Sequence, residues 1–440
     1  MIDQWGRASW ARTIRGRADP WGSWGVQMGR LSRRAFALAA LTTVTTASGS
    51  ASAAPARRPR EASEMRGVWV ATVANRDWPS RAGLSAADQR AELLAHLDKA
   101  VESGLNTVVF QVRPTADALW PSPYEPWSQY LTGTQGKDPG WDPLGTAVEE
   151  AHARGLELHA WFNPYRISNQ ADPTKLISSH PARRHPEWVV TYGGKLYYNP
   201  GLPAVRAFVQ KAILDAVKKY PLDAVHFDDY FYPYPVAGQT FDDDAAFDEY
   251  GGGFSNRADW RRDNIDRLVL ETAARIKRIR PTTQFGISPF GVWRNAATDP
   301  LGSDTRAGVQ SYDDNYADTR KWVQKGWIDY LVPQLYWLAQ PLDQQVPANY
   351  SVLVPWWSEV ARHSRTKLYI GEALYKAGDP AQPKQWQDPA ELSRHLTLAA
   401  EHPEVKGHVF FAAKEVGADP IGAMARVVAD HYQRPAKVPR

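Results

Sequence analysis

The chain has 440 residues, enough for one large domain or two ordinary ones, and 12% of its residues are aromatic. Its isoelectric point is near 9.0, but the positive excess lies in residues 1–60, with ten arginines and two acids, whereas residues 61–440 carry 42 basic and 46 acidic side chains. That larger part is mildly acidic, so the composition disfavours binding to nucleic-acid phosphates, and the lack of cysteine excludes disulfides and thiolate metal sites.

The first 54 residues have the features of an export signal. Residues 32–36 read S-R-R-A-F, a twin-arginine pattern, and an Ala/Leu/Thr-rich run and the cleavage signature Ala51-Ser52-Ala53 follow. No later stretch has the 18 or so apolar residues that a membrane-spanning helix needs. We predict a leader over residues 1–54, removed on export by the twin-arginine route, a linker over 55–63, and a secreted or cell-envelope protein. Met28 is an alternative start.

From residue 64 onward, apolar strands alternate with helical stretches. The predicted strands cover 65–72, 107–113, 156–165, the beginning of 223–235, 284–291, 329–337, 367–375 and 406–413. The predicted helices cover 85–103, 142–154, 203–220, 259–280, 317–325, 350–363, 388–401 and 421–431. Strands that are apolar throughout and alternate with helices indicate a parallel sheet buried on both faces. Eight such units predict an α/β fold, a (β/α)8 TIM barrel with enlarged βα loops over 64–435, with an open doubly wound sheet as the alternative.

The stretch 223–235 reads D-A-V-H-F-D-D-Y-F-Y-P-Y-P and carries two adjacent acids at the end of a buried strand. Side chains alternate along a strand, so His226, Asp228 and Tyr230 share one side and Asp229 begins on the other. Burial of an unpaired carboxylate is costly. The pair therefore indicates a site that grips or cleaves a polar substrate, with a strand-end salt bridge or a helix cap as the alternative.

The active site of a (β/α)8 barrel lies at the C-terminal ends of its strands. Polar and aromatic residues are concentrated at those ends of the predicted strands and in the loops that follow them. The candidates for substrate contact are Arg113, Asn163, Tyr165, Arg166, His226, Tyr230, Ser288, Trp293, Gln334, Tyr336, Trp337 and Lys414.

Glycoside cleavage requires an acid that protonates the leaving oxygen, and usually a second carboxylate as nucleophile or base. Asp228 is the inward-facing choice, and Asp229 would serve as well if the strand twists at its end. Glu372, from a strand roughly across the barrel, is the leading partner, with Glu415 as the second choice.

Two of the charged candidates have structural alternatives. Arg113 and His226 would lower the pKa of a neighbouring carboxylate and keep it ionised. In the structural alternatives, Glu372 forms only an ion pair with Arg113, and His226 is a hydrogen-bonded core histidine.

We predict no metal and no cofactor. The acidic run Asp242-Asp243-Asp244 and Asp248-Glu249 lacks the glycine position and ligand spacing of an EF-hand, and a solvated loop is the favoured interpretation. The G-x-S-x-G nucleophile motif does not occur, and the three glycines at 251–253 lack the fingerprint of a phosphate-binding loop.

Six motifs together resemble glycosyl-hydrolase-like family ten, formerly a domain of unknown function. They are E-M-R-G-V-W-V-A-T at Glu64, F-Q-V-R-P at Phe110, W-F-N-P-Y-R at Trp161, H-F-D-D-Y-F-Y-P-Y-P at His226, G-I-S-P-F-G-V-W-R-N at Gly286 and V-P-Q-L-Y-W at Val332. The resemblance implies a (β/α)8 glycosidase, secreted or envelope-bound, with Asp228 and Asp229 as its catalytic centre. Relatives that cut peptidoglycan strands stripped of their stem peptides imply a polysaccharide partner of that kind.

A fainter likeness concerns residues 223–230, which are similar to the strand-four motif D-x-x-D-x-D-x-E of family 18 chitinases. Here His226 replaces the middle acid and Tyr230 replaces the terminal Glu. If the N-acetyl group of the substrate takes part in the reaction, another acid must therefore protonate the leaving group. The alternatives are a hydrolase of another extracellular polysaccharide and a carbohydrate-binding barrel without activity.

Overall fold

The computed structural model describes residues 62–339 and 347–440. The predicted leader, residues 1–54, and all of the predicted linker except residues 62–63 lie outside the described residues. Ala62–Ser63 pairs in parallel with Ala436–Lys437, so the folded unit extends slightly beyond both ends of the predicted range 64–435. In the described ranges, no helix combines the length and the hydropathy that a membrane crossing requires.

Eight parallel strands close into a barrel in which each strand pairs with the next along the chain. The eighth strand pairs with the first and so completes the ring. This closure confirms the predicted (β/α)8 barrel over an open sheet. The strands are β1 Met65–Val70, β2 Thr107–Arg113, β3 Glu157–Phe162, β4 Ala224–Phe227, β5 Gln284–Ile287, β6 Tyr330–Leu331, β7 Lys367–Glu372 and β8 Val405–Phe411.

One main helix follows each strand and covers the outside of the barrel. The helices are α1 Ala86–Glu102, α2 Pro143–Ala153, α3 Pro203–Lys219, α4 Arg257–Ile279, α5 Thr319–Gln324, α6 Tyr350–Ala361, α7 Glu391–Ala399 and α8 Ala423–His431. Ser85 caps α1 by accepting a hydrogen bond from the Asp88 N–H, and Asp142 caps α2 in the same way. Gly104 and Gly155, which follow α1 and α2, adopt positive φ angles that favour glycine.

The barrel has a separate inner core. Trp69, Val109, Tyr330 and Tyr369 belong to a buried cluster distinct from the larger one between strands and helices. Because strand side chains alternate, this inner cluster identifies which residues of each strand point into the barrel.

Several strands are shorter than predicted. The clearest case is β6, predicted over 329–337, in which only Tyr330–Leu331 is a strand. Pro333 has no N–H for the ladder, so regular pairing ends before it. The chain nevertheless continues along the barrel, because Gln334 forms isolated bridges with Phe290 and Gly371.

A three-stranded antiparallel sheet follows β3 and was not predicted. It consists of Arg166–Ser168, Val189–Tyr192 and Lys195–Tyr198, and we call it the β3 sheet. Gly193 and Gly194 connect its last two strands with φ angles of 56° and 72°. Positive φ at both positions is the geometry that a tight two-residue hairpin turn requires.

The acidic run after β4 differs from the prediction of a solvated loop. Residues Asp244–Tyr250 form a short helix. Asp243 is buried and accepts a 2.8 Å hydrogen bond from Nε of Arg261. Asp242, Asp244 and the acids of the helix end are exposed, as predicted.

Candidate active site

Asp228 lies at the C-terminal end of β4 and is only 4% exposed. Nδ2 of Asn163, which follows the neighbouring strand β3, donates to both of its carboxylate oxygens, at 3.0 and 3.3 Å. The backbone N–H of Tyr230 donates to the same carboxylate at 3.2 Å. Oδ1 of Asn163 accepts from the backbone N–H of Arg166 at 3.0 Å, which fixes the orientation of the amide. Asp228 therefore points inward, as strand alternation predicts, and is held by donors.

Burial raises the pKa of Asp228, and several groups oppose that rise. The strongest opposing influence is the charge of Arg166, followed by the Tyr230 N–H and Asn163. The indole N–H of Trp161 also lowers this pKa, although its nitrogen does not reach the geometry of a full hydrogen bond. Each of these groups favours the ionised carboxylate.

Asp229 is half-buried and has a different environment. The phenol of Tyr234 donates a hydrogen bond to its Oδ2. Burial and the adjacent charge of Asp228 raise the pKa of Asp229 to about 7, against the lowering effects of Tyr234 and Gln334. The two adjacent acids therefore have unlike surroundings: Arg166 and the donors favour the ionised form of Asp228, and the charge of Asp228 favours the protonated form of Asp229.

Arg166, the first residue of the β3 sheet, is 1% exposed, and its charge acts on Asp228. Its guanidinium donates to the carbonyl of Pro114 at 3.2 and 3.1 Å and lies 4.8 Å from the centre of the Tyr230 ring. The predicted candidates Asn163, Arg166 and Tyr230 therefore do gather around Asp228.

Four aromatic rings extend from the acid pair along the mouth of the barrel. Tyr230 and Tyr234 have ring centres 5.5 Å apart, Tyr234 and Phe290 are 6.2 Å apart, and Phe290 and Trp337 are 5.5 Å apart. All four are half-buried. We call this row the aromatic wall, and its partly exposed rings suit apolar contact with sugar faces. Tyr234 and Phe290 were missed by sequence reasoning, although the strings F-Y-P-Y-P and S-P-F signalled aromatic strand ends.

His226 and Ser288 lie beneath the acid pair, inside the barrel. Nε2 of His226 is 2.8 Å from the Ser288 hydroxyl, and Nδ1 is 3.1 Å from the hydroxyl of Tyr330. Burial lowers the pKa of His226 well below its ordinary value. It is therefore a neutral, hydrogen-bonded core histidine, which was the structural alternative. Gln334 links these residues to the acid pair: its Nε2 donates to the Ser288 carbonyl at 2.9 Å, and its side chain lowers the pKa of Asp229.

Glu372 requires a correction. The ring of Tyr369 lies in the inner cluster, so Glu372, three residues further along β7, points outward to the helices. It is fully buried, accepts from the Tyr350 hydroxyl at 2.8 Å, and lies 2.8 Å from Nδ1 of His395 and 2.9 Å from Nδ1 of His408. Burial opposes the effect, but the two histidines lower its pKa to about 2. This carboxylate is structural, and it does not pair with Arg113 either.

Arg113, Tyr165 and Trp293 are also placed differently from the prediction. Arg113 is fully buried; its Nε donates to Glu125 at 2.6 Å, and its NH1 donates to the carbonyl of Asn163. It thus supports the loop of Asn163 from behind. Tyr165 is fully buried in the outer core, and Trp293 donates to Asp318 at 3.1 Å within the packing around α5 and α6. None of the three faces the acid pair.

The remaining candidates follow β6 and β8. Tyr336 is half-buried and packs edge-on against Tyr375 at 5.7 Å. Glu415 forms a 2.9 Å ion pair with Arg76. Arg76 was not among the residues predicted from the sequence. Lys414 is exposed, and its backbone N–H lies 3.4 Å from Asp77. Within the described ranges, no group of three or more His, Cys, Asp or Glu side chains is placed to hold a metal ion.

Comparison with known proteins gives a consistent result. The family described as glycosyl hydrolase-like 10 matches residues 64–388. Glycosyl hydrolase YngK of Bacillus subtilis (strain 168) is 52% identical over 379 residues, which cover 86% of this chain and 73% of that protein. Glycosyl hydrolase DigH of Escherichia coli (strain K12) is 41% identical over 377 residues, which cover 81% of this chain and 84% of that protein.

Among solved structures, the glycoside hydrolase domain of PgaB (BpsB) from Bordetella bronchiseptica is similar with a TM-score of 0.53. The match covers 83% of this chain and 98% of that chain at 13% sequence identity. A likeness at this identity shows the shared fold alone.

Proposed function

The chain belongs to the glycosyl hydrolase-like 10 family of glycoside hydrolases, and we propose that it hydrolyses an amino-sugar glycan outside the cytoplasm, namely peptidoglycan strands that lack stem peptides. One observation carries the proposal. The barrel mouth holds two adjacent acids in unlike surroundings, Asp228 with an arginine and two hydrogen-bond donors, and Asp229 with a pKa of about 7. Such a pair supplies both the charge and the proton that glycoside cleavage needs.

In the proposed reaction, Asp229 gives its proton to the glycosidic oxygen as the bond from that oxygen to C1 breaks. Glu372 points away from the mouth, so the second group must come from elsewhere. The acetamido oxygen of an amino sugar can attack C1 and form a cyclic intermediate. Asp228 then accepts the acetamido N–H and stabilises the positive charge. Water returns a proton to Asp229 and adds its hydroxide to C1, which restores both the acetamido group and the enzyme.

This assignment agrees with the departure from the chitinase motif, in which Tyr230 stands where that motif has its acid. The general acid is moved by one position, to Asp229. The two acids come from consecutive residues of one strand end, which favours one acid and one stabilising carboxylate over a water placed between opposed carboxylates about 6.5–9.5 Å apart.

A carbohydrate-binding barrel without activity is the weaker alternative. Binding requires hydrogen bonds to hydroxyls and stacking surfaces, and the aromatic wall would supply the second. It does not require a carboxyl group that keeps its proton near neutral pH beside a charged neighbour. The raised pKa of Asp229 therefore favours catalysis.

The experiment is a product analysis with the purified protein. Denuded glycan strands, intact peptidoglycan with stem peptides and an unrelated extracellular polysaccharide are incubated separately, and soluble products are identified by mass spectrometry. We expect saccharides with new reducing ends from the denuded strands and at least tenfold less from the other two. No product from denuded strands, or equal release from the unrelated polysaccharide, would contradict the proposal.

Export is part of the proposal and rests on the sequence pattern around Arg33 and Arg34. Replacement of both by Lys should retain a tagged protein in the cytoplasm, with its leader uncleaved. An unchanged distribution between cytoplasm and envelope fractions would contradict the twin-arginine route.

A further inference from the structure

The β3 sheet presents a basic face beside the acid pair. Arg166 lies opposite Tyr197 in this sheet, and Lys195 precedes Tyr197 by two residues on the same strand. Side chains two residues apart in a strand, and directly opposed residues of neighbouring strands, lie on the same face. That face packs on the loop after β4, since Tyr197 lies 6.4 Å from the ring of Phe241 and Arg166 lies over Tyr230. The two cations therefore adjoin the loop that carries the acid pair.

Lys195 lacks a counter-ion among the described residues, 62–339 and 347–440. It is half-buried, and its side chain forms no hydrogen bond or ion pair with any of them. Burial lowers its pKa, and the charge of Arg166 lowers it further. Within the described residues, no ion pair or side-chain hydrogen bond offsets the free-energy cost of partly desolvating this ammonium group. An anionic group on a bound ligand would do so.

We propose that Lys195, with Arg166 beside it, binds the free lactyl carboxylate of the muramic acid residues in the glycan and thereby selects strands without stem peptides. The inference rests on the proposed function and adds the substrate feature that is recognised. When a stem peptide is removed, the lactyl group ends in a carboxylate. When the peptide is present, the same group is a neutral amide with a bulky substituent.

The chemistry of the two substrates makes the discrimination direct. An ammonium group pairs with a carboxylate through charge-assisted hydrogen bonds, which are about twice as strong as neutral ones. An amide offers Lys195 only a neutral carbonyl oxygen. A glycan with free amino groups in place of carboxylates would be repelled by the two cations, so the same face also acts against cationic polysaccharides.

The test compares two forms of one glycan. Denuded strands are used as they are, with free lactyl carboxylates, and after coupling of those carboxylates to methylamine, which removes the charge and adds little bulk. The kcat/KM of the full-length protein is measured on both. We expect the wild type to prefer the carboxylate form about tenfold, a difference that shrinks as salt concentration rises.

Three variants separate the role of Lys195 from a general effect. Lys195→Met removes the charge with little loss of side-chain volume, Lys195→Arg keeps the charge, and Lys211→Met removes an exposed charge on α3 as the matched control. We expect Lys195→Met to lower the preference for the carboxylate form to less than twofold, through a higher KM on that form with kcat little changed. Lys195→Arg and Lys211→Met should keep the preference.

The outcomes distinguish this inference from the proposed function. Cleavage of both forms with equal efficiency by the wild type, or an undiminished preference in Lys195→Met, overturns the role of Lys195 while the glycosidase assignment stands. Failure of the wild type to cleave either form overturns both.

Discussion

Asn163 and Asp228 form the central contact of the site, with Nδ2 of the amide 3.0 and 3.3 Å from the two carboxylate oxygens. The two residues follow neighbouring strands, β3 and β4, which pair along the barrel. Arg113 holds the backbone carbonyls of Asn163 and Pro164 from behind. The position of Asp228 is therefore supported by the pairing of two strands and by a buried arginine, together with the Tyr230 N–H of its own loop.

Asn163→Ala should lower kcat about 10- to 100-fold, because a hydrogen bond to a charged group contributes about 1.5–3 kcal/mol. The amide favours the ionised carboxylate, so its loss raises the pKa of Asp228. The acidic limb of the pH profile of kcat/KM should therefore move to higher pH. Asn169→Ala, at an exposed position of the same loop, is the control. An unmoved acidic limb in Asn163→Ala would contradict the role of Asp228 as the ionised partner.

Tyr234→Phe should affect the basic limb of the pH profile of kcat/KM. The Tyr234 hydroxyl donates to Asp229 and lowers its pKa, so its removal raises a pKa that already lies near 7. If Asp229 acts in its protonated form, the basic limb of the profile should move to higher pH in this variant. Tyr250→Phe, at an exposed position, serves as control. Movement to lower pH would show that Asp229 is not the group that must be protonated.

Glu372→Gln should lower stability and leave catalysis largely intact. Removal of one partner from a buried charge pair costs about 3–5 kcal/mol, and His395 and His408 would lose their common acceptor. We expect a clear fall in Tm with kcat reduced less than fivefold at a temperature where the variant is folded. Exposed Glu401→Gln is the control. A loss of more than about a hundredfold in kcat, with an unchanged Tm, would restore Glu372 as a catalytic group.

The buried pair of Glu372 and His395 predicts that the stability of the protein depends on pH. Folding depresses the pKa of Glu372 from 4.5 to about 2, so its contribution is present above pH 4.5 and is lost as pH falls toward 2. Folding raises the pKa of His395 above 6.5, so its contribution is complete below pH 6.5 and is lost as pH rises through the folded value. The difference in Tm between wild type and Glu372→Gln should therefore be largest between pH 4.5 and 6.5. A constant difference from pH 4 to 9 would argue against a charged pair.

Trp337→Ala should weaken substrate binding through the aromatic wall. Trp337 is half-buried and forms the end of the aromatic wall that is farther from the acid pair, with its ring centre 5.5 Å from that of Phe290. Loss of one stacking surface of about 1–1.5 kcal/mol predicts a KM about tenfold higher with kcat within a few-fold. Trp337→Phe, which keeps a ring, should retain most of the affinity. Equal effects of both variants on KM would show that stacking is not what this side chain contributes.

The barrel and the inward position of Asp228 could be predicted from the sequence because both depend on local patterns. Alternating strands and helices predict the fold, and the polar residues His226 in β4 and Asp228 directly after it mark one face. In β7 no such mark exists, since five of its six residues are buried on one face or the other. Whether Glu372 points in or out then depends on register, which only the closed barrel reveals.

The basic face of the β3 sheet had a local signal that sequence reasoning did not use. The glycine pair between V-V-T-Y and K-L-Y-Y is typical of a tight hairpin, and the hairpin brings Lys195 to the face of Arg166. The buried roles of Arg113 and Trp293 had no such signal. Their partners, Glu125 and Asp318, lie 12 and 25 residues further along the chain in irregular loops.

The most direct measurement of the central claim is the rate at which reducing ends appear from denuded glycan strands with Asp228→Asn, Asp229→Asn and the exposed control Asp242→Asn. We expect both active-site variants to bind the glycan but to cleave it about 10²- to 10⁴-fold more slowly than wild type, while Asp242→Asn cleaves at the wild-type rate. Cleavage at the wild-type rate by Asp228→Asn and Asp229→Asn would contradict the claim that this acid pair carries out the reaction.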